Sequence, residues 1–216
     1  MKLLVDADYV VYKCCASAEN EIDFGDDVIV VTSKFSDALG CVKRELKKIA
    51  QNFFDPEMIL FFSDSKNFRK FIQPAYKGHR NRKKPCGYKR VINALSDEYK
   101  VVVQPTLEAD DAMGIAATAE PGNVICSPDK DMRQIPGTLF DMKETVNVTL
   151  MDGDRWHLIQ TLAGDQTDGY AGVPGIGVKR AVALFEEKGY TWKACLEAFA
   201  DKDLSEDVAL ENARLA

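Results

Sequence analysis

KVVVQPTLEADDAMGIAATA, residues 100–119, passes from a β-branched apolar run into a helical pattern, and acid marks the crossing. KVVVQ (100–104) reads as a buried strand and ADDAMGIAATA (109–119) as a helix, with Glu108, Asp110 and Asp111 standing where the helix opens. The same order recurs along the chain. KLLVDAD (2–8), MILFFSD (58–64) and NVICSPDKD (123–131) are short apolar runs that each end in carboxylates. Between them, FSDALGCVKRELKKIAQNFF (35–54) carries a helical stripe through Ala38, Val42, Leu46, Ile49 and Phe53. Strands alternating with helices predict an α/β fold, a mostly parallel sheet covered on both faces. VIVVTS (28–33) adds a strand or hairpin near an edge.

The whole chain bounds what such a fold does. Its 216 residues suffice for one α/β domain with a small helical appendix. No apolar run approaches the roughly 18 residues of a membrane helix, and MKLLVDADYV lacks the apolar centre of a secretion signal, so a cytoplasmic, non-membrane protein is expected. Cys14, Cys15, Cys41, Cys86, Cys126 and Cys195 form no C-x-x-C pair, which argues against a zinc ribbon or a secreted disulfide framework and predicts reduced, mostly packed thiols. With only His79 and His157, a multi-histidine metal site is excluded. The net charge of −6 is unevenly placed: Lys66 to Arg90 holds ten Lys/Arg and no acid, leaving the rest at −16. Phe68, Phe71, Tyr76 and Tyr88 interleave with those cations, a pattern suited to phosphates and bases as well as to a solvated loop.

After TLFDMKETVNVTL the pattern turns to helices, DRWHLIQTLAG, AVALFEEKG, TWKACLEAFA and SEDVALENARLA, so a boundary is expected near 150, with domains 1–150 and 151–216. The last pattern stops at Ala216 without a glycine or proline signal, as in a trimmed chain or an unpaired helix.

Carboxyl ends of parallel strands share one edge, where ligands bind. Asp6, Asp8, Asp64, Glu108, Asp110, Asp111, Asp129 and Asp131 are expected to gather there, and such a cluster calls for cations. Oxygen donors without histidine or thiolate suit Mg²⁺ or Mn²⁺. Asp165 and Asp168, three apart, are expected on one face of a helical turn. Each acid taken singly also has a plain reading, as a helix N-terminal charge at Glu108 and Asp110 or a turn former at Asp129 and Asp168. GVPGIGVKRAVALF (172–185) combines a tight glycine turn, amides opening a helix, and Lys179 with Arg180, which together make a phosphate site. A dinucleotide fingerprint is the weaker reading, because Arg180 occupies the third glycine position.

LLVDADYVVYK, FFSDSKNFRK, YKGHRNRKKP, LEADDAMG, CSPDKDMRQI and GDQTDGYAGVPGIGVKRA, in this order, resemble the 5′-nucleases of the flap-endonuclease superfamily, most closely the 5′–3′ exonucleases of tailed bacteriophages. The resemblance spans residues 3–181. It implies a PIN-like α/β catalytic domain, an arch or clamp over 66–100, and a C-terminal helix-hairpin-helix region. It implies metal roles for Asp6, Asp64, Glu108, Asp110, Asp111, Asp129, Asp131, Asp165 and Asp168, with Asp110 and Asp111 at the chemistry; Asp8 is outside the usual set. It carries scissile-phosphate contacts onto Lys77 and Arg80, and DNA binding onto Arg69, Arg82, Lys83, Lys84, Gly172, Val173, Gly175, Gly177, Lys179 and Arg180. Ala7, Lys13, Gly169 and Arg180 stand where relatives usually carry glycine, arginine, asparagine and threonine.

The function implied is a divalent-metal-dependent 5′–3′ exonuclease and 5′-flap nuclease, using two Mg²⁺ ions with Mn²⁺ as substitute and K⁺ at the hairpin. Its substrate is duplex DNA with 5′ ends, nicks or flaps in a host cytoplasm, with RNA–DNA hybrid as a further substrate. An inactive DNA-junction binder of the same fold, and an aspartyl-phosphate phosphatase built on Asp6 and Asp8, are the rival readings. Oligomeric state is not legible.

Overall fold

A computed structural model describes residues 1–80 and 83–216. In chain order the elements are β1 (Lys2–Asp6), α1 (Ala7–Ser17), β2 (Glu19–Asp23), β3 (Ile29–Ser33), α2 (Phe35–Ala50), β4 (Glu57–Phe62), α3 (Arg69–Ile72), α4 (Tyr88–Ser96), β5 (Lys100–Val103) and α5 (Ala109–Ala119). Then follow β6 (Val124–Cys126), a 3₁₀ turn (Lys130–Gln134), β7 (Gly137–Phe140), β8 (Thr145–Val148), α6 (Leu150–Ala163), β9 (Gly164–Asp165), β10 (Tyr170–Ala171), α7 (Val178–Lys188), α8 (Trp192–Ala200) and α9 (Glu206–Leu215). Two compact units result. Among the described residues, the first comprises 1–65, 83–132 and 137–147, and the second 66–80, 133–136 and 148–216. The basic segment is thus divided, its first part folding with the helical unit.

In the first unit a six-stranded sheet runs in the order β5-β4-β1-β6-β7-β8. β1 is central and parallel to both neighbours, Leu4 standing opposite Ile59 on one side and Ile125 on the other. β4 with β5, and β6 with β7, are also parallel. These central strands are covered on both faces, which is why Leu3, Leu4, Val5 and Leu60 to Phe62 are unbroken apolar runs at 3% exposure or less. α1, α2 and α4 pack on one another, and α5 lies against β1, β4 and β6. The amphipathic stripe expected over 35–54 buries Ala38, Val42, Leu46 and Ile49. The VIVVTS strand pairs with β2 as a separate antiparallel hairpin, not with the main sheet.

The second unit has its own core, in which α6, α7, α8 and α9 bury Leu162, Val173, Phe185, Cys195 and Phe199. Tyr76, Tyr170 and Leu215 form a smaller cluster with Ile72. All six cysteines are free, and four are buried. Among the described residues, no helix is long and apolar enough to cross a membrane.

Candidate functional site

β1 leads through β4 to β5 on one side, while β6 and β7 continue on the other. This reversal beside β1 is a topological switch point, and the crevice outside the carboxyl ends of β1 and β6 is where an open α/β sheet receives ligands. An open pocket lies there, lined by Asp6, Tyr9, Pro128, Asp129 and Lys130.

Asp6 ends β1 and caps α1, its Oδ1 accepting from the Tyr9 amide at 3.1 Å. Its Oδ2 accepts from the Ser127 hydroxyl at 3.0 Å, and the same Ser127 Oγ accepts from the Asp129 amide at 3.2 Å. Fully buried Ser127 therefore sets one carboxylate against the other. Asp6 is 8% exposed. Burial, with the fields of Asp8 and Asp129, pushes its pKa up to about 6. Asp129 Oδ1 also accepts from the Asp131 amide at 3.0 Å, which ties the second acid of this loop to the first.

Asp64 follows β4 and anchors the loop before α5, Oδ2 accepting from the Thr106 amide at 2.8 Å and Oδ1 from the Ser65 amide at 2.6 Å. Ser63 Oγ accepts from the Ala109 amide at 3.0 Å, holding the start of α5 against the end of β4. Within that start, Asp111 Oδ2 accepts from the Glu108 amide at 3.0 Å, so helix capping is one of its functions here. Asp110 sits in the same first turn. Among the described residues, no three Asp, Glu, His or Cys side chains close around a single ion position. The chemistry of the set nevertheless fits a hard cation. Asp6 is a desolvated carboxylate beside two further acids, a combination that favours a proton or a metal ion, and every candidate donor is oxygen.

Asp165 and Asp168 belong to the second unit, and their setting corrects the helical turn expected for them. Asp165 lies in β9, which pairs with β10 antiparallel, Asp165 opposite Tyr170. Its Oδ1 accepts from the Thr167 amide at 2.7 Å and the Asp168 amide at 3.3 Å, so the aspartate folds a hairpin turn. Gly169 takes φ of 85°, and a Cβ there would meet His79 Nδ1 at 3.3 Å, which accounts for glycine at this position.

Lys77 and Arg80 converge on this hairpin. Arg80 Nη2 lies 2.6 Å from Asp168 Oδ1, and its Nε donates to Thr167 O at 3.0 Å. Lys77 Nζ is 3.5 Å from Asp168 Oδ2, which also accepts from the Tyr76 hydroxyl at 2.8 Å. The Lys77 amide donates to Asp168 O at 2.7 Å, holding Lys77 at a left-handed φ of 52°. The cations read as phosphate contacts are thus paired with an acid read as a metal ligand. Arg69 is likewise engaged, its Nε donating to Leu215 O at 3.0 Å.

Further along, Gly177 caps α7 without a side-chain hydrogen bond, and Gly175, Gly177, Val178, Lys179 and Arg180 line an open pocket. Arg180 Nη1 donates to Gly175 O at 2.6 Å and braces the loop. Val173 is 2% exposed and part of the core, and Gly172 is a packing glycine, so neither presents a side chain to a ligand. Lys83 and Lys84 belong to the first unit. Arg82 lies outside the described residues. Sequence reasoning missed Ser63 and Ser127, and it read Tyr76 and Tyr88 as rings suited to bases, whereas both are buried and their hydroxyls donate to Asp168 and Asp8. Ser63 and Ser127 each stand directly after an apolar run and before an acid, a position that could have marked them.

Residues 2–158 match the family model of the 5′–3′ exonuclease N-terminal resolvase-like domain. The exodeoxyribonuclease of Enterobacteria phage T3 and the exonuclease of Escherichia phage T7 are each 33% identical over 190 residues, covering 81% of this chain and 63% of theirs. The chain therefore spans about 63% of the length of these curated relatives. In fold it is similar to the bacteriophage T5 flap endonuclease, solved as a pseudo-enzyme-product complex with DNA and metal ions. The TM-score is 0.73 at 15% identity, over 99% of this chain and 87% of that one.

Proposed function

Because the chain belongs to the 5′–3′ exonuclease family with an N-terminal resolvase-like domain, we propose that it hydrolyses phosphodiester bonds at 5′ ends, nicks and flaps of duplex DNA. Its T3 and T7 phage relatives are an exodeoxyribonuclease and an exonuclease, and its T5 neighbour in fold is a flap endonuclease. The observation that carries the reading is Asp6: a buried carboxylate at a switch point, beside Asp129, in a pocket open to a ligand.

Asp6, Asp64, Glu108, Asp110, Asp111, Asp129 and Asp131 would hold divalent ions, Mg²⁺ or Mn²⁺, with Asp165 and Asp168 as further donors. Bound there, such ions supply Lewis acidity toward a phosphodiester and make water acidic enough to attack near neutral pH. Ser127 fixes the orientation of Asp6 and of the Asp129 loop, and Ser63 fixes the opening turn of α5 that carries Asp110. Lys77 and Arg80 would meet the phosphate next to the cut, and their pairing with Asp168 keeps both cations oriented until an anion competes for them. The amides and Lys179 at the start of α7 would grip duplex phosphates without reading sequence, with K⁺ at the turn carbonyls. The site of action would be the cytoplasm of the host cell, and the RNA strand of RNA–DNA hybrids a second substrate.

The test uses nicked and 5′-flapped duplexes labelled at either end, with Mg²⁺ or with chelator. Short 5′-derived products with Mg²⁺ alone are expected, and Asp110→Ala should cut at least about 1000-fold more slowly while still binding DNA. Binding without cleavage in Mg²⁺ and Mn²⁺ would overturn the enzyme reading in favour of a junction-binding protein.

A further inference from the structure

Asp8, in the first turn of α1, is the acid next to β1 that the metal-binding set leaves unused. Both its oxygens are nevertheless engaged. Oδ2 accepts from the Ser63 amide at 2.7 Å, and Oδ1 accepts from the Tyr88 hydroxyl. Burial and the Asp8 charge push the Tyr88 pKa far above its usual range, so the phenol remains the donor.

Around this pair sits Lys84. Its Nζ lies 3.9 Å from Asp8 Oδ1 and 3.4 Å from the Tyr88 hydroxyl oxygen. It also stands over the Tyr88 ring at 4.5 Å and the Tyr12 ring at 5.9 Å. A separation of 3.9 Å is too long for a hydrogen bond. The carboxylate therefore steers the ammonium without consuming its donors. Lys84 keeps 58% of its side chain exposed against 24% for Asp8. Ring faces hold a cation in place while its far side faces water, where an anion can reach it. A second tether fixes the same stretch of chain, since the Cys86 amide donates to Glu19 Oε1 at 2.7 Å. Holding a lysine this way removes much of the rotamer freedom that a phosphate contact would otherwise have to freeze.

We infer that Asp8, acting through Tyr88, is a positioning residue that fixes the Lys84 ammonium as a contact for a backbone phosphate of the bound strand. The inference deepens the nuclease reading above and rests on it. Asp8 touches neither the scissile bond nor an ion in this role.

The experiment measures binding of a fluorescent 5′-flapped duplex by anisotropy, in chelator and across a salt series, followed by steady-state cleavage in Mg²⁺. The proteins are wild type, Asp8→Asn, Tyr88→Phe, Lys84→Met and the double variant Asp8→Asn/Lys84→Met, with thermal melts as the folding control. Each single variant should bind roughly two- to fivefold more weakly, and the slope of log affinity against log salt should be shallower by about 0.9, one phosphate contact. The double variant should bind no more weakly than Lys84→Met alone, and the kinetic effect of Asp8→Asn should fall on KM. Lowered turnover of Asp8→Asn at saturating DNA, with a wild-type salt slope, would overturn the inference, as would additive losses in the double variant. Lys84→Met binding like wild type would overturn the inference alone, whereas a wild-type protein that binds no DNA would overturn the nuclease reading with it.

Discussion

Ser127 shows how much one small side chain carries at this edge. Its hydroxyl donates to Asp6 and accepts from the Asp129 amide, and the residue has no exposed surface. Ser127→Ala would leave a buried carboxylate short of one donor and an amide short of one acceptor. A loss of about 1–3 kcal/mol in unfolding free energy is expected from such a deletion, read from urea melts in chelator so that metal binding does not mask it. A change below about 0.5 kcal/mol would mean that the loop after β6 finds other partners and that Asp6 is not fixed through this serine. The serine was legible only as part of CSPDKD, because nothing in a sequence tells whether a hydroxyl faces a carboxylate 121 residues away.

At the scale of elements, the strands and the long helices were legible because their burial writes a period into the sequence. KLLVD, MILFF and NVIC hold unbroken apolar runs since each lies within the sheet and is buried on both faces. β9 and β10 left no such trace. Two residues per strand are too few for a period, and acids three apart are neighbours on a helical turn as well as on a tight hairpin. What fixes this hairpin is backbone crossing backbone. A Cβ on Gly172 would lie 2.2 Å from Ala163 C and 2.4 Å from Gly164 N, main-chain atoms that cannot swing aside. The glycine expected to let DNA approach is needed first for the chain to pass itself. Gly172→Ala should therefore cost roughly 3 kcal/mol or more and lower the melting temperature by several degrees, with DNA affinity falling alongside. Gly177→Ala, where nothing lies within 4 Å of the added carbon, should leave stability within about 0.5 kcal/mol of wild type. Equal melting temperatures for the two variants would refute the crossing as the reason for Gly172.

For the whole molecule, the decisive property is where charge is placed, since the net −6 would by itself repel a nucleic acid. Ten cations without an acid occupy Lys66 to Arg90, and the fold spreads them over both units. Several already have intramolecular partners: Arg69 with Leu215 O, Lys77 and Arg80 with Asp168, and Arg90 over the Phe35 ring at 4.2 Å. If about half of the ten meet phosphates, log affinity for duplex DNA should fall with log salt at a slope near −4.5, a loss of about 500-fold between 50 and 200 mM. Charge attraction acts chiefly on encounter, so association rates should fall more steeply with salt than dissociation rates rise. A slope shallower than about −2 would leave room for at most two phosphate contacts, and the grip on DNA would then lie in the amides of the α7 turn rather than in this segment.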